Sequence, residues 1–352
     1  PEGGFYTSQD ADVTPDDEGG YFTWTDEQLK HVLNNDEYAL TSMHLMHQAG
    51  SMHHDASKKV LFQAMSAEEI AERTGRPLTN VIDVINSGKK RLLQARKERV
   101  TPYIDRTLYT SINGMMVSVF LQGFRILKDI NLKNFALMSL EKILEKRLIN
   151  NELFHAENVG AMLDDYAHLV EALLTAYEVT GNSSFIARAE ELMKSCLDRL
   201  WDREEGGFFD TGTPLLDMNI KGVEDLPQPS ANSVCIRMLL KLFSVTGKNV
   251  YFRYAEDALR FFSVKAGELG VHAGHYFSAL DAYYNSLKLT LNSGPESVLT
   301  DTVISSYVPY ADIAYADDKG HVVPCIGNVC YNPVNDPDAL KDFLNNRRHA
   351  GN

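Results

Sequence analysis

A helical hairpin recurs within this chain. Leu173-Leu174, Val179-Thr180-Gly181, Phe185 and Ala189-Glu190 return as Leu239-Leu240, Val245-Thr246-Gly247, Tyr251 and Ala255-Glu256, at a constant offset of 66 residues. The repeated unit is a helix, a Thr-Gly turn and a returning helix, with a looser copy through Leu127, Phe135 and Ala136. One hairpin cannot bury its own apolar stripe, so repeated hairpins must stack into a solenoid or close into a toroid.

Apolar periodicity near 3.6 predicts helices over 77–98, 112–128, 131–147, 164–180, 182–200, 230–246, 248–264 and 272–287, with weaker ones near 26–34 and 36–48. In the helix from Asp164, the residues Leu163, Ala167, Val170, Leu173, Leu174 and Tyr177 form the apolar stripe, and Gly181 supplies the stop. About ten helices are visible where six hairpins need twelve, and the chain opens with Pro1 inside a motif. The expected fold is therefore mainly α, an (α/α)6-type toroid truncated at its N-terminal side. From residue 288 the pattern becomes strand, helix, strand, and a last helix capped by Asp336. The expected domains are 1–287, the toroid, and 288–352, a small C-terminal α/β appendix ending in a frayed tail from 345.

Glutamate runs into a glycine pair and two aromatics three times: Glu2-Gly3-Gly4-Phe5-Tyr6, Glu18-Gly19-Gly20-Tyr21-Phe22 and Glu205-Gly206-Gly207-Phe208-Phe209. Glycine pairs permit tight turns with positive φ, and the aromatics after them suit short strands. Flat rings beside acids suit a sugar, whose apolar face stacks while carboxylates bind its hydroxyls; the same aromatics also suit a helical core. Long connections such as 202–230 are expected to gather on one rim with the acids Asp10, Asp12, Asp105, Asp164, Asp165, Glu205 and Asp210. Glycoside hydrolysis needs two such carboxylates, one protonated and one ionised. At Asp164 and Asp165, helix capping competes with that role.

Forty-eight acids against 34 bases give a net charge of −14, which disfavours a phosphate-backbone partner. Residues 66–82 resemble a helix-turn-helix, with Ser66 and Glu69 as a capping box, and a basic run follows from Lys89 to Arg99. In so acidic a chain that run reads as a solvated helix face, and no nucleic-acid partner is expected. No apolar run approaches the roughly 20 residues of a membrane span. The four cysteines are too few for a disulfide scaffold: Cys196 and Cys235 read as buried core thiols, and Cys325 and Cys330, spaced C-x4-C, as structural thiols ahead of a redox pair. The chain is assigned to the cytoplasm. His44, His47, His53, His54 and Asp55 lack a helical frame for metal ligation, so neither metal nor cofactor is expected. His272 and His275 share a helix face and suit acid–base work, but read first as surface or core residues.

The motifs in order carry a resemblance. Gly3-Gly4-Phe5-Tyr6 through Asp12, Glu18-Gly19-Gly20-Tyr21-Phe22-Thr23-Trp24, Ala95 to Arg99 with Pro102 and Asp105, Asn113-Gly114, Asp164-Asp165-Tyr166-Ala167, Gly206-Gly207-Phe208-Phe209, Pro229-Ser230 with Asn232-Ser233, and Cys325 to Cys330 span most of the chain. Together they resemble the thioredoxin-domain proteins related to spermatogenesis-associated protein 20. That resemblance implies an (α/α)6 toroid like those of N-acylglucosamine 2-epimerases and six-hairpin glycosidases. It also implies an upstream thioredoxin-like domain of the same protein as a partner. Ile112 and Ala231 depart from the family's tryptophan and glycine at those places.

Two functions follow as expectations. The first is binding or transformation of a carbohydrate-like small molecule, epimerase-like or hydrolase-like, with Asp12, Asp105, Asp164 and Asp165 catalytic. Trp24, Asn113, Tyr166, Glu205, Phe208, Asp210, Ser230 and Asn232 would bind the ligand. The alternative is a non-catalytic partner module for the thioredoxin-like domain, since a toroid hosts either role.

Overall fold

The computed structural model describes residues 2–17, 19–213, 218–327 and 329–349. Glu18 of the second glycine-pair copy lies outside them, as do residues 350–352 of the expected tail. The chain is mainly α and forms two compact units, Ser8–Arg106 and the rest.

In the unit Ser8–Arg106, two-residue strands pair as β1 (Ser8–Gln9) with β4 (Ile104–Asp105), and β2 (Thr23–Trp24) with β3 (Lys59–Val60). Its helices are α1 (Asp26–Val32), α2 (Asn35–Leu45), α3 (Ala67–Thr74) and α4 (Leu78–Lys97). The Ser66–Glu69 capping box forms as its sequence predicts. Arg99, counted in the basic run, instead donates to the carbonyls of Gly20, Tyr21 and Thr23 and lies 3.9 Å over the Trp24 ring. It fixes the turn of the second glycine pair.

The larger unit begins with Gly3-Gly4-Phe5 and continues through helical hairpins. These are α5 (Thr110–Leu127) with α6 (Ile130–Arg147), α7 (Leu163–Thr180) with α8 (Ser184–Leu200), and α9 (Ala231–Thr246) with α10 (Asn249–Leu269), followed by α11 (Gly274–Asn285). Helices α5, α7, α9 and α11 pack in that order in one layer, and α6, α8 and α10 each pack behind their hairpin partner. This is the inner–outer alternation that the repeat demands. All inner helices therefore begin at the same end. Between α6 and α7 lies a small sheet absent from the sequence reading: β5 (Leu148–Ile149), β6 (Glu152–Ala156) and β7 (Val159–Gly160).

Helix α7 is buried on nearly every side. Its apolar stripe meets the core, and Asp165, His168, Thr175 and Glu178 on its other faces are buried too. Such a helix needs partners all round. Gly114 shows how closely one approaches: a Cβ there would sit 2.7 Å from the His168 carbonyl. The Asn-Gly pair thus lets α5 and α7 touch backbone to backbone.

The C-terminal segment adds a sheet of order β11-β10-β8-β9, from β8 (Leu287–Asn292), β9 (Ala311–Tyr315), β10 (His321–Ile326) and β11 (Val329–Cys330). β8 and β9 are parallel and joined through α12 (Val298–Ser305), as the strand-helix-strand pattern predicts. The last helix, α13 (Pro337–His349), runs past residue 344, where the sequence reading ended it. This unit holds two hydrophobic cores, one whose buried residues reach Ala282 and another running from Leu287 to Leu344. Cys325 and Cys330 face each other across β10 and β11 and form a disulfide, correcting their reading as thiols. The two intervening strand positions bring them together without a C-x-x-C motif. Cys196 and Cys235 are free and buried.

Candidate active site

Two of the three glycine-pair copies form the same clasp. In the first, Asn113 in the opening turn of α5 accepts the Phe5 N–H at 2.8 Å and donates to the Phe5 carbonyl at 3.2 Å. In the third, Asn232 in the opening turn of α9 accepts the Phe208 N–H at 2.9 Å and donates to its carbonyl at 3.0 Å. Both glycines of each pair adopt positive φ, which turns the chain into the asparagine's reach. The clasps explain why Gly-Gly-aromatic and Asn recur together, and they fix loops over the starts of the inner helices.

Between the clasped helices, α7 opens with two acids in different environments. Asp165 is fully buried and accepts from Ser111 N at 2.9 Å, Met162 N at 2.9 Å and His155 Nδ1 at 2.9 Å. Asp164 remains partly open. Burial lifts its carboxyl above the ordinary carboxylate value, and the neighbouring Asp165 charge adds to the lift. Asp210 is tethered to the same turn, its carbonyl accepting from Leu163 N at 3.0 Å. Burial raises the Asp210 carboxyl too, against a lowering Gly222 N–H bond and with a further push from Asp164. Two partly open carboxyls thus share one field beside a buried anion. Such a group keeps its proton to higher pH and suits a general acid.

His155 completes the cluster from β6. The Asp165 hydrogen bond holds its pKa above the ordinary 6.5, and its ring packs on Tyr109 at 5.2 Å. A raised folded-state pKa contributes stability that is fully present below the unfolded value and lost as pH rises through the folded one. An NMR titration should therefore give His155 a midpoint above 6.5, with unfolding free energy declining as pH passes that midpoint. A midpoint at or below 6.5 would contradict the ion pair.

Several residues read from the sequence as ligand contacts belong to the scaffold. Asn113 and Asn232 are 0% exposed and committed to backbone. Phe208 packs in the core against Trp201. Tyr166 is buried with its hydroxyl on Ser195. Ser230 caps α9, accepting from Ser233 N. Trp24 is buried beneath Arg99, so the stacking platform read there is closed. Asp12 accepts from Gly19 N, and Asp105 lies in β4 in register with Ser8; with Trp24 these belong to the smaller unit and are placed only within it. Glu205 is exposed beside Lys221. Of the set, Asp164, Asp165 and Asp210 come together. The exposed His275 pairs with Asp225 at 3.2 Å, a surface role.

His155 escaped the sequence reading because it sits in a short hairpin with no helical period. Among the described residues no cluster of His, Cys, Asp and Glu could hold a metal ion, and no helix is long and apolar enough to cross a membrane.

No family model matches the chain. Human spermatogenesis-associated protein 20 is 27% identical over 409 residues, covering 97% of this chain and 52% of the relative. The mouse protein of the same name is 26% identical with the same coverage. The chain thus spans about half the length of the curated relatives it matches. Among solved structures, a GH76 α-mannanase from Bacteroides thetaiotaomicron is 13% identical over 72% of this chain and 71% of its own, with a TM-score of 0.43. Cellobiose 2-epimerase from Spirochaeta thermophila is 16% identical over 44% of this chain and 43% of its own, with a TM-score of 0.36. Resemblance at that level carries no functional weight, which leaves the geometry to do so.

Proposed function

We propose that the chain binds and transforms a carbohydrate at the start of its inner helices, with Asp164 and Asp210 as the acid–base pair. The observation that carries this is the pair itself: two partly open carboxyls, both lifted by burial, with Asp164 acting on Asp210. A carboxyl that keeps its proton to higher pH suits the general acid of glycoside cleavage, and a second carboxyl beside it suits the base or nucleophile. Asp165 and His155 act as positioning residues, since Asp165 spends its oxygens on Ser111, Met162 and His155. The thioredoxin-like domain implied by the family resemblance is proposed as the partner of this chain, and the cytoplasm as its compartment.

The test is a panel of aryl glycosides and reducing disaccharides, assayed for released phenol and for epimerised product. The expected result is turnover of at least one sugar with a bell-shaped pH profile, one limb set by each carboxyl. Absence of both turnover and saturable sugar binding across the panel would reject the reading in favour of a non-catalytic module.

A further inference from the structure

The disulfide at the edge of the C-terminal sheet has no part in the carbohydrate site, and its two sulfurs have unlike surroundings. Cys330 belongs to β11, a two-residue edge strand that is exposed along its length. Cys325 is 8% exposed and lies one strand further in, on β10. An incoming thiolate therefore reaches the Cys330 sulfur first.

Strand register sets what stands on the inner side of that bond. Cys330, Cys325 and Lys288 lie directly opposite one another across β11, β10 and β8. Opposed residues of antiparallel strands share a face, with Cβ atoms about 5 Å apart. The Lys288 side chain thus stands beside Cys325, on the side away from Cys330. Asp312 continues the row on β9, but it is committed to Arg237 at 2.6 Å. Cys325 and Lys288 also line one cavity of about 220 Å³, walled by Phe243 of α9, Phe252 of α10 and Tyr283 of α11. That space gives a released sulfur room to draw away from its partner. Burial alone would raise the Cys325 thiol, and a neighbouring ammonium works against that rise.

We propose that Cys325–Cys330 is a thiol–disulfide exchange site that accepts two electrons from a dithiol. One thiolate of the dithiol attacks Cys330 Sγ, and the bond to Cys325 breaks with its electron pair passing to Cys325 Sγ. Lys288 stabilises the thiolate so formed, and a leaving thiol of lower pKa departs faster. The second thiol of the dithiol then loses its proton, attacks its own sulfur in the mixed disulfide and releases Cys330 as a thiolate. The dithiol ends as a disulfide, and the protein as two reduced cysteines. This exchange holds or fails independently of the carbohydrate reading.

Reduction of the full chain by dithiothreitol at neutral pH tests it, timed by alkylation and mass spectrometry for the native and the urea-unfolded protein. The native bond should open at least as fast as the unfolded one, whereas a disulfide serving only structure is shielded by folding and opens more slowly. Lys288→Met should slow native reduction at least 3-fold and leave the rate in urea unchanged. Glutathione supplies a readout that needs no variant. Quenched early with iodoacetamide, the wild-type chain should carry glutathione on Cys330 and the alkyl group on Cys325. Native opening slower than unfolded, a native rate indifferent to Lys288→Met, or glutathione on Cys325 would each overturn the assignment.

Discussion

Replacing Asp164 with asparagine is expected to lower sugar turnover at least 100-fold while leaving the fold as stable as before, or more so at neutral pH. The kinetic half follows from removing one member of an acid–base pair, a change that costs about 10²–10⁴-fold. The thermodynamic half follows from sign. Burial raises the Asp164 carboxyl above its unfolded value, so the folded state holds its proton more tightly. The group's stabilising contribution is then present below the unfolded pKa and lost as pH rises through the folded one. Asparagine removes a carboxylate whose charged form burial and the Asp165 charge disfavour. Asp210→Asn should behave alike for the same reason. Steady-state kinetics beside urea unfolding at pH 7 checks both halves. Retained turnover, or a loss of several kcal/mol in stability, would return Asp164 to helix capping.

Asn232→Ala is expected to give the opposite profile: a loss of about 3 kcal/mol, with any residual sugar affinity changed only in proportion to unfolding. Asn232 makes three hydrogen bonds from a fully buried position, to the N–H and carbonyl of Phe208 and to the Gly222 carbonyl at 2.9 Å. Alanine leaves those backbone groups desolvated and unpaired, and an unmade buried hydrogen bond costs more than a made one contributes. Asn113→Ala breaks the equivalent clasp on Phe5, but Phe5 is only partly buried and water can substitute, so about half the effect is expected. Chemical denaturation with a constant m-value gives the comparison. A stability change under about 1 kcal/mol for Asn232→Ala would restore the sequence's reading of this asparagine as a ligand contact.

The hairpins were legible because their determinants are local. The apolar period, the Thr-Gly stops at Gly181 and Gly247, and the Ser66–Glu69 box act within one or two turns, and the structure's helix ends fall within a few residues of those signals for most helices. The C-terminal switch at residue 288 was legible for the same reason, as a period changing from 3.6 to 2. The recurrence of Gly-Gly-aromatic was visible too, but its meaning was not. Asn113 lies 108 residues from Phe5, and only folding shows that the aromatic is clasped into scaffold and not offered to a ligand.

Sequence alone determined the hairpin repeat, the helical class and the pair of acids at the start of α7. Tertiary structure decided which acid is which. Asp164 and Asp165 are adjacent and chemically identical, yet successive residues of a helix point about 100° apart, so one enters a nest of donors from Ser111, Met162 and His155 while the other stays open toward Asp210. Burial and hydrogen-bond supply set their roles, and neither is a property of the chain before it folds.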